Sequence, residues 1–216
     1  MEIHLTISLI TILNDMLKSL GLSSEAKVYN RYSFLGGTQG LWRVVRMGAF
    51  RGPALDTVGR LDIVNRELTA LPAGAAWVLQ GLTSNARYTT RAEMQALSAR
   101  QQGLARPEAR CAALIPIKKS ALWWELPQDE RRSIFEETSR HTAIGLEYLP
   151  AVARRLHHCR DLNEPFDFLT WFEYAPEHAP VFEELVSRLR ATPEWDYVER
   201  EIDIRLERDI HNPQFG

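Results

Sequence analysis

The chain has 216 residues, 45% of them hydrophobic and 25% charged, with a formal net charge of -2 and an isoelectric point near 6.3. That length suits one domain with a substantial core or two small fused modules. The balanced charge gives no sequence-independent grip on nucleic acid, which needs clustered cationic surface, and two cysteines, Cys111 and Cys159, are too few for a disulfide framework or a thiolate zinc site.

Residues 1–27 read as an N-terminal extension. The run from Leu5 to Leu13 is apolar but too short to span a bilayer. A signal peptide opens with Lys or Arg, whereas Glu2 and His4 stand here, and Asn14, Asp15 and Lys18 break the apolar run. Leu5, Leu9, Ile12, Met16 and Leu20 recur at helical spacing, which predicts an amphipathic segment on a cytoplasmic protein with no membrane association. Cleavage at the faintly signal-like Ser24-Glu25-Ala26 would make the protein periplasmic instead.

After a glycine-rich stretch, Gly36-Gly37-Thr38-Gln39-Gly40, Leu41 to Met47 reads as a strand. The stretch lacks the Lys-Ser/Thr ending of a phosphate-binding loop and predicts a hairpin turn. Ala75 to Leu82 reads as a second strand, and Thr90 to Gln102 as a helix stopped by Gly103. Cys111 to Ile117 is a strand, and Pro127 begins a helix that runs to about Tyr148 and closes at Pro150. Ala151 to Cys159 and Phe166 to Tyr174 are strands. Pro176 to Leu189 is a helix with Phe182, Leu185 and Leu189 on one face, and Tyr197 to Leu206 alternates apolar and charged residues as a half-buried strand does.

The order from residue 110 onward is β-α-β-β-α-β, the ferredoxin-like unit. The expected fold is therefore α+β: a ferredoxin-like module over residues 110–216, preceded by a truncated copy over 28–109. Its sheet leaves one face to be covered by a second module or a partner subunit, closing a dimeric α+β barrel with room for a large apolar ligand. A fold does not give a function, so the residues must decide.

His141 falls on a helix face with Ile134, Thr138, Gly145 and Tyr148 at three- and four-residue spacing. A flat macrocycle could approach beside Gly145, and a histidine there suits axial ligation of haem iron. Spacing by itself favours the plainer reading, a core histidine held by one hydrogen bond. Arg154, thirteen positions on, shares a strand face with Val152, Leu156 and His158; such an arginine either meets an anion or lays its stem on the sheet. His157, His158 and Cys159 are adjacent on a strand, so they point to alternate faces and do not chelate one ion together.

Several separated segments together resemble the chlorite dismutase family. They are residues 113–120 followed by Trp123-Trp124, His141 with Arg154 thirteen residues later, Leu156 to Asp161, and Pro165 to Glu173. The likeness runs from about residue 29 to 208, is dense from residue 110, and is nearest the short-chain branch, which implies a homodimer. It implies haem b with His141 as proximal iron ligand and Glu194 as the carboxylate bonded to that imidazole. It further implies that Lys119 and Tyr88 contact the propionates, that Trp123 packs beside the porphyrin, and that Arg154 is the distal arginine. The implied reaction converts chlorite into chloride and dioxygen through a ferryl and hypochlorite intermediate, Arg154 retaining the hypochlorite. A coproheme decarboxylase shares the fold and proximal histidine but lacks the distal arginine, and a non-catalytic haem-binding protein would need only His141 and the cavity.

Overall fold

The computed structural model of the chain describes residues 31–83 and 88–209; the expected extension over 1–27 lies outside them. Eight strands are present there: β1 (Arg31–Gly37), β2 (Trp42–Arg51), β3 (Arg60–Val64), β4 (Ala75–Thr83), β5 (Cys111–Lys119), β6 (Val152–His158), β7 (Phe168–Tyr174) and β8 (Val198–Arg208). They close into one barrel in the order β1-β3-β2-β8-β5-β7-β6-β4, every neighbouring pair antiparallel.

This architecture corrects the expected α+β fold of two ferredoxin-like modules. No helix separates β1, β2, β3 and β4, so the first half is not a shortened copy of that unit. The barrel closes within one chain, where β2 pairs with β8 and β4 pairs with β6. The physical reason is that alternation reveals a buried strand face without revealing what buries it. The strands β1 and β3, which complete the ring, carried no recognised pattern.

Phe34, Leu61, Leu114, Trp171, Ile202 and Ile204 fill the barrel interior. The outer face of β5, β6 and β7 is apolar as well: Ala113, Ile115, Val152 and Phe172 pack beneath a helix that supplies Phe182, Leu185, Val186 and Leu189. Strands buried on both faces read as continuous apolar runs, which is why these were visible in the sequence. The charged face expected to leave β8 half-buried is covered too. Glu201, Asp203 and Arg205 are all buried and ion-paired, and Glu201 also accepts from an indole.

The glycine-rich stretch does not make a hairpin between neighbours, because β3 lies between β1 and β2. Gly40 has φ +133°, and a Cβ there would lie 2.4 Å from the Leu61 carbonyl oxygen. Gly81 serves the short β4–β6 seam, where a Cβ would come within 2.6 Å of Cβ of His157.

Helix α1 (Arg91–Arg100) begins at a capping box between Thr90 and Glu93 and buries none of its residues. A short helix, α2 (Ala121–Glu125), precedes Pro127, and in place of one helix from Pro127 to Tyr148 there are three pieces: α3 (Gln128–Arg132), a π-helical turn (Ser133–Thr138) and α4 (His141–Glu147). The break falls at Arg140, whose φ of 54° and ψ of 36° are left-handed, an uncommon conformation for any residue with a side chain. A last helix, α5 (Ala179–Arg190), covers the outer face of the sheet.

Candidate active site

The break at Arg140 makes His141 the first residue of α4. The helix face it was expected to share with Ile134 and Thr138 does not extend across that break. Glu136, within the preceding π-turn, reaches over instead: its carboxylate accepts from the backbone N–H groups of Thr142 at 2.7 Å and Ala143 at 3.2 Å. A carboxylate on these free N–H groups is favoured by the helix dipole. The imidazole of His141 lies nearly parallel to the ring of Phe135, with centroids 4.4 Å apart and an interplanar angle of 22°.

Nδ1 of His141 is 2.7 Å from Oε2 of Glu194. An ionised carboxylate only accepts, so Nδ1 carries the proton and donates. In the neutral ring that leaves the lone pair on Nε2, which has no partner among the described residues, available to a metal. Glu194 is itself fixed from two directions. Its backbone N–H donates to Oγ of Ser139 at 2.9 Å, and its Oε1 accepts from Nζ of Lys119 at 2.8 Å. Burial works to raise the Glu194 carboxyl, but electrostatic attraction to His141 and Lys119 and the hydrogen bonds from both outweigh it and hold the group down at about 2. The Lys119 ammonium is thus directed to Glu194, and it also lies 4.6 Å from the Trp123 ring centroid.

All six residues singled out in the sequence line one cavity of about 430 Å³: Tyr88, Lys119, Trp123, His141, Arg154 and Glu194. Its remaining walls are largely apolar, among them Ile115, Ile117, Val152 and Phe172 from the barrel's outer face. That size is ordinary for a small-molecule or cofactor site, for which about 300–1,000 Å³ is typical. Tyr88 meets Trp123 edge to face, centroids 6.0 Å apart. Gly145 lines the same space, and a Cβ there would meet nothing within 4 Å.

Arg154 projects from β6 into the cavity wall. Among the described residues its guanidinium makes no hydrogen bond and no ion pair, and burial pushes its pKa down. Its neighbour Arg155 differs, donating to the Tyr32 hydroxyl at 2.9 Å. Alternation separates the two adjacent histidines as expected. His157 packs inside the barrel on Tyr32 and Phe34 and is pushed down to about 4 by burial, so it stays neutral, while His158 lines the cavity. Cys111 and Cys159 are both free, the first partly exposed and the second buried.

These features fit a flat, apolar group that carries its own metal. No cluster of three His, Cys, Asp or Glu that could hold an ion occurs among the described residues. A metal at His141 would therefore take its other ligands from the group itself, as in a macrocycle. Trp123 Nε1 is buried without a hydrogen-bond partner at this wall, and the space beside Gly145 is open to a flat edge. Sequence reasoning missed Phe135, Ser139 and Glu136, because an arginine gives no warning of a left-handed break. It also missed Trp195, whose ring lies 16° from parallel to the imidazole.

A sequence model of the chlorite dismutase family matches residues 57–208, well over half of the chain. The fold is similar to that of a dimeric chlorite dismutase from Nitrobacter winogradskyi, 56% identical, with a TM-score of 0.77 over 82% of this chain and 99% of that one. A chlorite dismutase from Candidatus Nitrospira defluvii in complex with imidazole is a likeness of fold, with a TM-score of 0.60 at 21% identity over 84% of this chain and 92% of that one. A curated chlorite dismutase from Ideonella dechloratans is 36% identical over 88 residues, 41% of this chain, and the match covers 29% of that relative's length. The chain belongs to the chlorite dismutase family.

Proposed function

We propose that the chain binds haem b through Nε2 of His141 and decomposes chlorite to chloride and dioxygen. The observation that carries this reading is the pairing, in one apolar cavity, of a carboxylate-backed imidazole with an arginine that has no partner among the described residues. A half-buried cation without a counter-charge lowers stability, so its retention is understandable where an anion is to be met. A haem carrier needs the imidazole and the cavity but gains nothing from that arginine.

Bound there, haem b supplies the iron redox chemistry that breaks the chlorine–oxygen bond. The chain's own residues do the rest. His141 would hold the iron, and Glu194, by fixing its tautomer and enriching the ring in electron density, would favour oxidised iron. Tyr88 would meet the propionates, Lys119, whose ammonium is bonded to Glu194, would act mainly through that carboxylate, and Trp123 would form a flat side wall. Arg154 would draw chlorite in by charge and hold chlorine oxyanions in the cavity through charge-assisted hydrogen bonds. The dimeric state of the Nitrobacter winogradskyi protein supports a homodimer here. The test is an oxygen-electrode assay of the haem-loaded protein with chlorite: dioxygen and chloride in equal amounts support the reading, and chlorite left intact refutes it.

A further inference from the structure

The charged face of β8 reaches the imidazole of His141 through a chain of side chains. Trp195, one residue beyond Glu194, donates from Nε1 to Oε2 of Glu201 at 2.7 Å. Glu201 is wholly inaccessible to solvent, and its Oε1 accepts from Nε of Arg190 at 2.8 Å and from Nη2 of the same guanidinium. Arg190 Nη2 also donates to Oδ2 of Asp203 at 2.8 Å, and Arg205 closes on the same aspartate. The sheet makes this reach possible by a slip in register. Lys118 lies opposite Arg200 but Lys119 lies opposite Val198, so Glu199 is an additional residue in β8 and both Val198 and Glu201 face outward.

Burying a carboxylate completely costs several kcal/mol unless its geometry with a partner is good. Here that cost falls on the one acceptor that orients the Trp195 indole. The indole in turn stands parallel to His141, with centroids 6.3 Å apart. The hydrogen bond to Glu194 fixes one atom of the imidazole and leaves the ring free to swing about that contact, whereas flat neighbours fix its plane. We propose that Arg190, Glu201 and Trp195 are positioning residues that set the plane of the His141 ring and the seat of Glu194, and so the strength of the bond from His141 to iron. This deepens, and rests on, the reading of His141 as the iron ligand.

Two variants test it in the haem-loaded protein. Trp195→Phe keeps a flat ring but loses the N–H, and Arg190→Lys keeps the charge but loses the two-point hold on Glu201. Leu79→Val, inside the barrel and away from the chain, controls for general loosening. The readouts are the iron–histidine stretching band of the ferrous protein by resonance Raman and the rate of haem release to excess apomyoglobin. Both variants are expected to shift the band and to release haem about 10-fold faster, the lower end of what losing a ligand's supporting contact costs, while Leu79→Val leaves both unchanged. An unmoved band in Trp195→Phe and Arg190→Lys overturns the proposal, as does an equal shift in Leu79→Val. If Trp195→Phe does not fold, Arg190→Lys decides alone. No iron–histidine band in the unaltered protein overturns the ligand reading and this one together; a normal band there that neither variant moves overturns this one only.

Discussion

Replacing Lys119 by methionine probes the buried charge balance behind His141. Lys119 and Glu194 are 4% and 6% exposed and 2.8 Å apart. Removing one partner of such a pair costs about 3–5 kcal/mol, because the other charge stays buried. Glu194 keeps its bond from Nδ1 of His141, and methionine fills the volume of the lysine stem, so the lower end, about 3 kcal/mol, is expected. For a chain of this size that corresponds to a fall in Tm of roughly 6–12 °C. The assay is urea and thermal unfolding of the haem-free protein, with Lys119→Met, Glu194→Gln and the double variant side by side. The double variant removes both charges and should recover about half of the loss. A loss below about 0.5 kcal/mol in Lys119→Met, the range of an ordinary surface substitution, would refute the reasoning, as would a double variant no more stable than the single one.

His141→Ala should fold but lose most of its haem, and full haem occupancy with an unchanged iron spectrum would remove His141 as the ligand. Glu194→Gln should raise the iron's reduction potential as the imidazole becomes less electron-rich, and a spectroelectrochemical titration without a positive shift would contradict this. Gly145→Leu should leave the haem-free protein as stable as before or up to about 1 kcal/mol more stable, since leucine is the better helix former, while haem uptake falls because the new side chain enters the cavity; unimpaired titration with haem would place the haem elsewhere.

Strands β4, β5, β6, β7 and β8 and helices α1 and α5 lie within a few residues of their expected bounds, because apolar runs such as Ala112 to Ile117, alternation in β8 and the one apolar face of α5 are local patterns. The closed barrel was not legible. It depends on β3, only five residues long, and on pairings across the chain such as Leu82 with His158, which no local pattern announces. The site was legible through resemblance more than through spacing. Counting along a helix put His141 beside Ile134 and Thr138, but the left-handed turn at Arg140 separates them and sets the imidazole against Phe135. The contact between Trp195 and Glu201 was hidden for a similar reason: the register slip at Lys118 and Lys119 changes which residues of β8 share a face.

On this reading Arg154 retains the reactive chlorine species in a cavity where His141 holds the iron. Oxygen yield per chlorite consumed, measured for the unaltered protein and Arg154→Ala with and without a hypochlorite scavenger, tests it most directly. The variant is expected to keep its haem, lose oxygen yield, yield more trapped chlorine and inactivate sooner, while the unaltered protein is nearly indifferent to the scavenger. Equal yields, equal trapping and equal lifetimes in the two proteins would contradict it.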